Sequence, residues 1–178
     1  MINIIHILGP SGAGTTTLGR ALEQAYGYKY LDTDDYSWRL TDPPFLQTIP
    51  HEERVRLLKK DIERNPKCVI CGSLGSWGDE FIPLLDLVVW MYAPTGIRID
   101  RLNKRNLQRF GGRILDGGDM YEQHREFIEW AKAYDTSSPP ERCRALHERL
   151  VAQVSCPVLR LDGMEPVGAL VSKVGDVI

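Results

Sequence analysis

The chain has 178 residues, of which 43% are hydrophobic and 26% charged, and its formal net charge is −2. This length and composition predict one domain with a sizeable hydrophobic core. The slightly acidic balance excludes a general attraction to nucleic acid or anionic membranes, and no apolar run is long enough to cross a bilayer.

Apolar runs typical of buried strands alternate along the chain with helical patterns. Most of these runs are almost continuous Val, Ile, Leu or Cys, as in parallel strands that helices cover on both faces. The strand runs are residues 2–8, 30–33, 67–72, 86–93 and 156–161, and helical patterns follow from Thr16, Pro50, Pro94, Asp119, Ser138 and Pro166. Asp119 with Glu122, and Ser138 with Glu141, predict helix-capping boxes. The alternation predicts a three-layer α/β/α fold with a five-stranded parallel sheet, in a single domain over residues 1–178.

A glycine-rich segment joins the first strand to the first helix. It matches the phosphate-loop pattern GxxxxGK[ST] at Gly9, Gly14 and Thr16, but Thr15 replaces the lysine. Glycines let backbone N–H groups converge on an anion, and the helix N-terminus adds its positive dipole end. Thr16 takes the position whose hydroxyl serves Mg²⁺. The residues predicted to bind nucleotide phosphates are Gly9, Pro10, Ser11, Gly12, Ala13, Gly14, Thr15, Thr16 and Thr17.

An acidic cluster follows the second strand, at the sheet edge where ligands of such folds bind. Asp32, Asp34 and Asp35 lie within four residues of one another. One interpretation assigns one carboxylate to hydrated Mg²⁺ and another to a substrate. The alternative is a solvated acidic turn with a helix cap. No Walker B aspartate follows the third strand, so a metal role would fall to Asp32 or Asp34.

The third strand carries a cysteine pair and leads to a tryptophan. Cys68 and Cys71 are three apart, so on a strand they point to opposite faces and predict neither a zinc nor a redox site. Trp77 could line a pocket or pack in the core, and the sequence leaves both open. Four cysteines are an ordinary number for a reducing cytoplasm, and the chain begins with a strand pattern rather than a signal peptide. We expect a cytoplasmic protein.

Arginines recur after the fourth strand. Arg101, Arg105 and Arg109 are four residues apart and share one helix face. Stacked like charges need a polyanion such as a nucleotide triphosphate, although a solvated basic face is the alternative. Arg113 lies between two glycine pairs, which predicts a mobile lid over about residues 109–120 or else a plain flexible loop.

These motifs together resemble the nucleoside monophosphate kinase and shikimate/gluconate kinase group of P-loop kinases. Asp32-Thr33-Asp34 is similar to the DxD of shikimate kinases, which implies Mg²⁺ binding by Asp32 and acceptor binding by Asp34. Arg101 and Arg105 look like the arginine pair that opens the adenylate kinase lid, which implies contacts to the base and to phosphate. Gly163 resembles part of the base-binding turn. The chain departs from adenylate kinases at Thr15 and at residues 71–75.

The expected function is a phosphotransferase that moves the γ-phosphoryl group of ATP to a small acceptor, such as a nucleotide or nucleoside, with Mg²⁺. Asp34, Asp35 and Arg39 would face the acceptor, and Arg105, Arg109 and Arg113 would supply the missing lysine charge. The alternative is a nucleotide-binding module or regulator with a degenerate loop and little turnover. We expect neither nucleic acid nor a membrane as a partner, and the sequence does not indicate an oligomeric state.

Overall fold

Five parallel strands form the centre of the computed structural model, which describes residues 2–75, 77–140 and 142–178. Their order is β2-β3-β1-β4-β5, so the first strand lies in the middle. On β1, Ile5 pairs with Val69 of β3 and with Leu87 of β4. This arrangement confirms the predicted parallel sheet. The strands are β1 (Ile4–Leu8), β2 (Lys29–Asp32), β3 (Cys68–Cys71), β4 (Leu87–Tyr92) and β5 (Val158–Asp162).

Helices connect the strands and lie on both faces of the sheet, as predicted. Their apolar residues recur every three or four positions, which gives each helix one face to bury. The α-helices of the described residues are α1 (Thr15–Tyr26), α2 (Thr33–Ser37), α3 (His51–Arg64), α4 (Thr95–Phe110), α5 (Tyr121–Lys132), α6 (Arg144–Gln153) and α7 (Val167–Gly175). None of these helices has the length and apolar character needed to cross a membrane.

Two hydrophobic cores lie on opposite faces of the sheet. One contains Leu18 and Leu22 of α1 with Leu170 and Val174 of α7, and the other is built on α3 and α6. Cys68 belongs to the second core and Cys71 to the first, as residues three apart on a strand should. The cysteine pair therefore divides between two apolar environments. Burial raises the pKa of the Cys68 thiol to about 12.

Two predicted helix starts are wrong. Helix α5 begins at Tyr121 after Met120, without a side-chain cap, because the Asp119 carboxylate accepts hydrogen bonds from Arg113 instead. Helix α6 begins at Arg144 after Cys143, several residues beyond the predicted box. Glu141, the second member of that box, lies outside the described residues.

Helices α4 and α5 form a small satellite of the fold. Leu102 of α4 packs against Ile128 and Ala131 of α5 in a third apolar cluster. Because α4 follows β4, it begins at the carboxyl edge of the sheet. This placement brings its polar face beside the glycine-rich loop after β1.

Candidate active site

The glycine-rich loop makes a compact turn between β1 and α1. The Ala13 amide donates to the Pro10 carbonyl at 3.1 Å, and the Leu18 amide to the Gly14 carbonyl at 3.0 Å. Gly12 and Gly14 have φ values of 84° and 102°, in the left-handed region that favours glycine. A Cβ at Gly12 would also lie 2.7 Å from the Arg98 carbonyl oxygen. The sequence spacing of the glycines thus matches a real conformational requirement.

Three arginines bind carbonyl oxygens of this loop from outside. Arg98 donates to Ser11 at 3.3 Å and Arg101 to Gly12 at 3.3 Å. Arg142 Nη2 donates to the Gly9 carbonyl oxygen at 2.6 Å. These bonds fix the loop carbonyls, so the shape of the loop is set without a ligand.

Arg98 is a structural residue that the sequence analysis did not place in the site. Its side chain is fully buried, and it donates to the carbonyls of Ala93 and Ala131 at 3.0 Å each. It also lies 3.7 Å from a carboxylate oxygen of Asp135. Arg98 therefore ties the loop, α4 and the end of α5 together.

A cavity of about 200 Å³ opens beside the loop, next to the turn after β5. Gly163 donates its N–H to the Tyr92 carbonyl and accepts a bond from Arg101 at 3.0 Å. A Cβ at Gly163 would collide with the Ala13 carbonyl oxygen, so this turn and the loop pack without room for a side chain. Arg101 and Gly163, both predicted nucleotide contacts, thus line one cavity with Ala13.

The arginines of α4 lie along the cleft rather than in open solvent. Arg101 binds the loop, Arg105 is close enough to Asp34 and Asp32 to interact electrostatically, and Arg109 lies over the Phe45 ring at 5.4 Å. Burial and the neighbouring Arg109 lower the pKa of Arg105, and the two aspartates oppose that shift. The arginine series crosses the site from one end to the other.

Asp32 ends β2 and caps the short helix after it. Its Oδ1 accepts from the Asp34 amide at 3.1 Å, and its Oδ2 accepts from the Tyr30 hydroxyl at 2.6 Å. The Tyr30 hydroxyl also interacts with Thr16. Burial, followed by the hydrogen bond to Asp32, raises the pKa of Tyr30, so the hydroxyl stays protonated. Tyr30 thus links the two residues predicted to serve Mg²⁺.

Asp34 and Asp35 are adjacent but belong to different environments. Asp34 opens to solvent at the mouth of the cleft; partial desolvation and then Asp32 raise its pKa, while Arg142 and Arg105 lower it. Asp35 interacts instead with Arg20 and lines a separate cavity of about 390 Å³ on the outer side of β2. The structure therefore brings Asp34, and not Asp35, to the arginines.

Arg39 and Trp77, two other predicted site residues, lie outside the cleft. Arg39 is exposed and donates to Glu53 of α3 at 2.9 Å. Trp77 is buried in the core, where its indole N–H donates to the Ser73 carbonyl, which decides between the two alternatives for this residue. The Tyr36 hydroxyl binds Asp61, away from Asp34. Of the aromatic residues, Trp38 and Phe45 stay near the cleft, in edge-to-face contact with centroids 5.8 Å apart.

Two segments from opposite sides of the cleft meet above it, and we call residues 38–48 and 109–120 together the roof. Strands β2 and β4 lie on either side of β1, so the segments that follow them approach from two directions. Arg113 joins them through Asp42 at 2.8 Å, and it also binds Asp119 at 2.6 Å. Gln123 of α5 adds a bond to the Pro44 carbonyl at 2.8 Å. Arg109 and Arg113 of the second segment therefore contact Phe45 and Asp42 of the first.

Buried histidines adjoin the loop from below, and the sequence analysis missed them. His6 of β1 donates from Nδ1 to the Ile70 carbonyl, and His147 of α6 bonds Tyr134 through its Nδ1. Burial, above all, lowers the pKa of His6 to about 4 and that of His147 to about 3, and Arg142 contributes to both shifts. Two neutral imidazoles thus lie near Arg142. A histidine within a strand pattern was the available signal.

Comparison with known proteins gives one relative that covers nearly the whole chain and others that cover part of it. The uncharacterized protein YqaC of Bacillus subtilis is 43% identical over 172 residues, which cover 97% of this chain and 95% of YqaC. The chain belongs to the YqaC family. Cytidylate kinase of Archaeoglobus fulgidus is 30% identical over 112 residues, 57% of this chain and 61% of that protein. No family model matches the sequence.

Solved structures confirm the fold. Shikimate kinase from Bacteroides thetaiotaomicron superimposes with a TM-score of 0.60 over 99% of this chain and 98% of that one, at 19% identity. Shikimate kinase from Acinetobacter baumannii in complex with shikimate gives a TM-score of 0.56 over 99% and 93%, also at 19% identity. The predicted resemblance is confirmed: this YqaC-family chain has the fold of shikimate kinases and is similar in sequence to cytidylate kinases.

Proposed function

We propose that this protein is a phosphotransferase that moves the γ-phosphoryl group of ATP to a small acceptor bound at Asp34. The observation that carries this proposal is the electrostatic interaction of Asp34 with both Arg105 and Arg142, together with the direct contact of Arg142 with the phosphate loop. Phosphoryl transfer requires positioning and charge neutralisation more than covalent help. A carboxylate flanked by two cations at the end of a phosphate loop supplies both.

Each part of the site has a role in this proposal. Residues 9–17 bind the phosphates, and the cavity beside Gly163 and Arg101 takes the base. Asp34 orients the acceptor hydroxyl, and Arg105 neutralises charge on the transferred group. The roof closes the cleft and excludes water.

Thr16 and Asp32 fit a role in holding Mg²⁺. Each Asp32 oxygen accepts one hydrogen bond and keeps further acceptor capacity, and Tyr30 holds the residue beside Thr16. Among the described residues, no group of three or more His, Cys, Asp or Glu side chains could form a metal cage. Mg²⁺ in kinase sites uses one or two protein ligands with phosphate and water, which is what these two residues can offer. When bound, the ion would neutralise phosphate charge.

The acceptor that we propose is a nucleotide, a nucleoside or a similar ring-bearing compound. Trp38 and Phe45 supply flat apolar walls near the roof, and Arg109 already stacks on the Phe45 ring. Asp35 and Arg39 lie on other surfaces, so Asp34 is the acceptor contact that we retain.

The second candidate function is a nucleotide-binding module with little turnover. Thr15 favours it, because the ammonium that normally reaches the β- and γ-phosphates is absent. Both candidates require nucleotide binding at residues 9–17, and only the first requires product.

Thermal stabilisation by Mg-ATP tests the shared requirement. At a hundredfold excess over the dissociation constant, binding adds about 2.7 kcal/mol to the free energy of unfolding. Gly14→Val should abolish this gain, because its φ is strained and the side chain blocks phosphate approach. Gly27→Val is the matched control, since Gly27 also has a positive φ but no atoms near its Cβ. If the Gly14 variant folds and keeps the full shift, the loop is not the binding site.

Product formation separates the two candidates. The wild type is incubated with Mg-ATP and a panel of nucleosides, nucleotides and small hydroxy acids, and ADP is measured. We expect acceptor-dependent ADP, a loss of about a hundredfold or more in Asp34→Asn, and little change in Asp35→Asn. ATP binding without product from any acceptor would favour the binding module.

A further inference from the structure

The phosphate loop lacks a cation of its own. Thr15 is uncharged and begins α1 at the position where the loop pattern has lysine. A triphosphate brings several negative charges to this point, and the carboxylates of Asp32 and Asp34 interact with the same part of the site. Some other cation must balance them if ATP is to bind well.

Most arginines around the loop are committed to other partners. Arg98 is fully buried; its guanidinium donates to backbone carbonyls and to the Thr95 hydroxyl, and it pairs with Asp135. Arg101 is held by Gly12 and Gly163. Arg109 stacks on aromatic rings, and Arg113 binds Asp42 and Asp119 at the roof. The two arginines predicted to replace the lysine from the lid therefore serve the roof.

Arg142 is placed differently. It lies just before α6, yet its Nη2 reaches the first carbonyl of the phosphate loop, Gly9, at 2.6 Å. The residue as a whole is half-buried, whereas its Nε is buried and has no hydrogen-bond partner within the described residues. A guanidinium offers five N–H donors in a fixed fork, so one bond to Gly9 leaves donors for a phosphate.

The guanidinium of Arg142 interacts electrostatically with acidic residues of the cleft. Burial lowers the pKa of its guanidinium, while Asp34, Tyr134 and Asp32 raise it. An arginine stays charged in proteins in spite of such a shift. Its positive charge is thus partly desolvated, and it interacts electrostatically with the two carboxylates assigned to Mg²⁺ and to the acceptor.

We propose that Arg142 supplies the cation that the phosphate loop lacks, and that its guanidinium binds the β- and γ-phosphates of ATP while it stays anchored on Gly9. This inference rests on the proposed function, since it assigns the ATP site to residues 9–17. The charge of the missing lysine would come from the segment before α6 instead of from the loop itself.

Ligand discrimination tests this role without depending on turnover. Affinities for Mg-ATP, ADP and AMP are measured by calorimetry for the wild type, for Arg142→Met and for Arg144→Met. Arg144 is the matched control, since it is two residues away but pairs with Asp135 and Glu148. We expect Arg142→Met to bind ATP roughly tenfold to a hundredfold more weakly with AMP affinity unchanged, and Arg144→Met to match the wild type. Equal ATP affinity in a folded Arg142→Met would overturn the assignment.

A gain-of-charge variant keeps the proposal testable if Arg142→Met does not fold. Thr15→Lys restores the loop lysine. If Arg142 already neutralises the phosphates, Thr15→Lys should change ATP affinity by less than about threefold in the wild type and should restore ATP binding to Arg142→Met. A tenfold gain in ATP affinity from Thr15→Lys alone would mean that no cation neutralises the phosphates in the wild type, and the proposal would be wrong.

The outcomes also separate this inference from the proposed function. If the wild type shows no stabilisation by ATP, the proposed ATP site fails, and Arg142 fails with it. If the wild type turns over ATP and Arg142→Met turns over as fast, only the Arg142 assignment fails. An arginine that acts on the transferred phosphoryl group is expected to be worth about a thousandfold in rate.

Discussion

The phosphate loop and the roof use the same residue type in opposite ways. Around the loop, Arg98, Arg101 and Arg142 donate to backbone carbonyls, and Arg98 is fully buried. At the roof, Arg113 is exposed on 38% of its side chain and binds two carboxylates that are themselves exposed. Buried bonds to backbone are lost only when the local structure unfolds, whereas exposed ion pairs exchange readily with water.

This difference indicates two parts of unequal stability. We call the phosphate loop with Arg98, Arg101 and Arg142 the floor, and we expect it to be more rigid than the roof. Under the proposed function, the loop holds its shape before a nucleotide binds, since a preorganised site loses little entropy on binding. Under the same proposal, the roof opens for substrates to enter and for products to leave. Contacts that are individually weak suit that task.

Removing Arg98 should produce the largest loss of stability. Arg98→Met leaves the carbonyls of Ala93 and Ala131 without their donor and leaves Asp135 beside an apolar side chain. Breaking a buried pair of this kind costs about 3 kcal/mol or more. Urea unfolding measures it.

Lys104→Met is the control on the same helix, because Lys104 forms an exposed pair with Asp100. It should cost less than about 0.5 kcal/mol. If the two variants lose similar stability, the buried bonds of Arg98 do not stabilise the structure around the loop.

Lowering the pH should produce the second largest loss of stability. The pKa of His6 is lowered to about 4 in the folded chain, against an ordinary value of 6.5, so the unfolded chain binds the proton first as pH falls. Stability contributed by neutral His6 is complete above pH 6.5 and declines from there toward pH 4. Together with His147, the expected decline is on the order of 2 kcal/mol or more. Urea unfolding from pH 7.5 to 4.5 measures it.

His6→Leu should flatten this pH dependence while costing stability at pH 7.5, since the Ile70 carbonyl loses its donor. His51→Gln, at the exposed start of α3, serves as the control and should retain the wild-type profile. An unchanged slope in His6→Leu would assign the acid sensitivity to other groups.

The sheet and the loop were predictable because their signals are local. Continuous apolar runs specify buried parallel strands, and Gly12 and Gly14 occupy left-handed positions that few other residues tolerate. Local patterns could not show which of the two neighbouring carboxylates, Asp34 or Asp35, lies in the cleft. Only the turn into α2 decides that Asp34 faces the arginines while Asp35 faces Arg20.

The missed features depend on contacts between distant residues. Arg142 reaches Gly9 across 133 positions of the chain, which no spacing pattern predicts. Asp119 looked like a helix cap, but a charge-assisted pair with Arg113 is stronger than a bond to a neutral amide. The sequence of Trp77 and its neighbours also fitted a pocket wall, and its burial depends on a core that includes Phe81 and residues of several other elements.

Breaking the roof should have the smallest effect on stability and a clear effect on motion. Asp42→Ala removes the pair that joins the two segments of the roof, whereas Asp119→Ala removes only a pair within the lid segment. Both pairs are exposed, so both variants should melt close to the wild type. Amide exchange should rise severalfold in residues 38–48 and 109–120 of Asp42→Ala, and much less in residues 38–48 of Asp119→Ala. Salt at 1 M shortens the Debye length to about 3 Å and so weakens attraction between exposed charges. In that salt, amide exchange of the wild type should resemble that of Asp42→Ala. If exchange is equally slow in all three proteins, Phe45 and Gln123 keep the roof closed without the ion pair. The roof would then be as rigid as the phosphate loop.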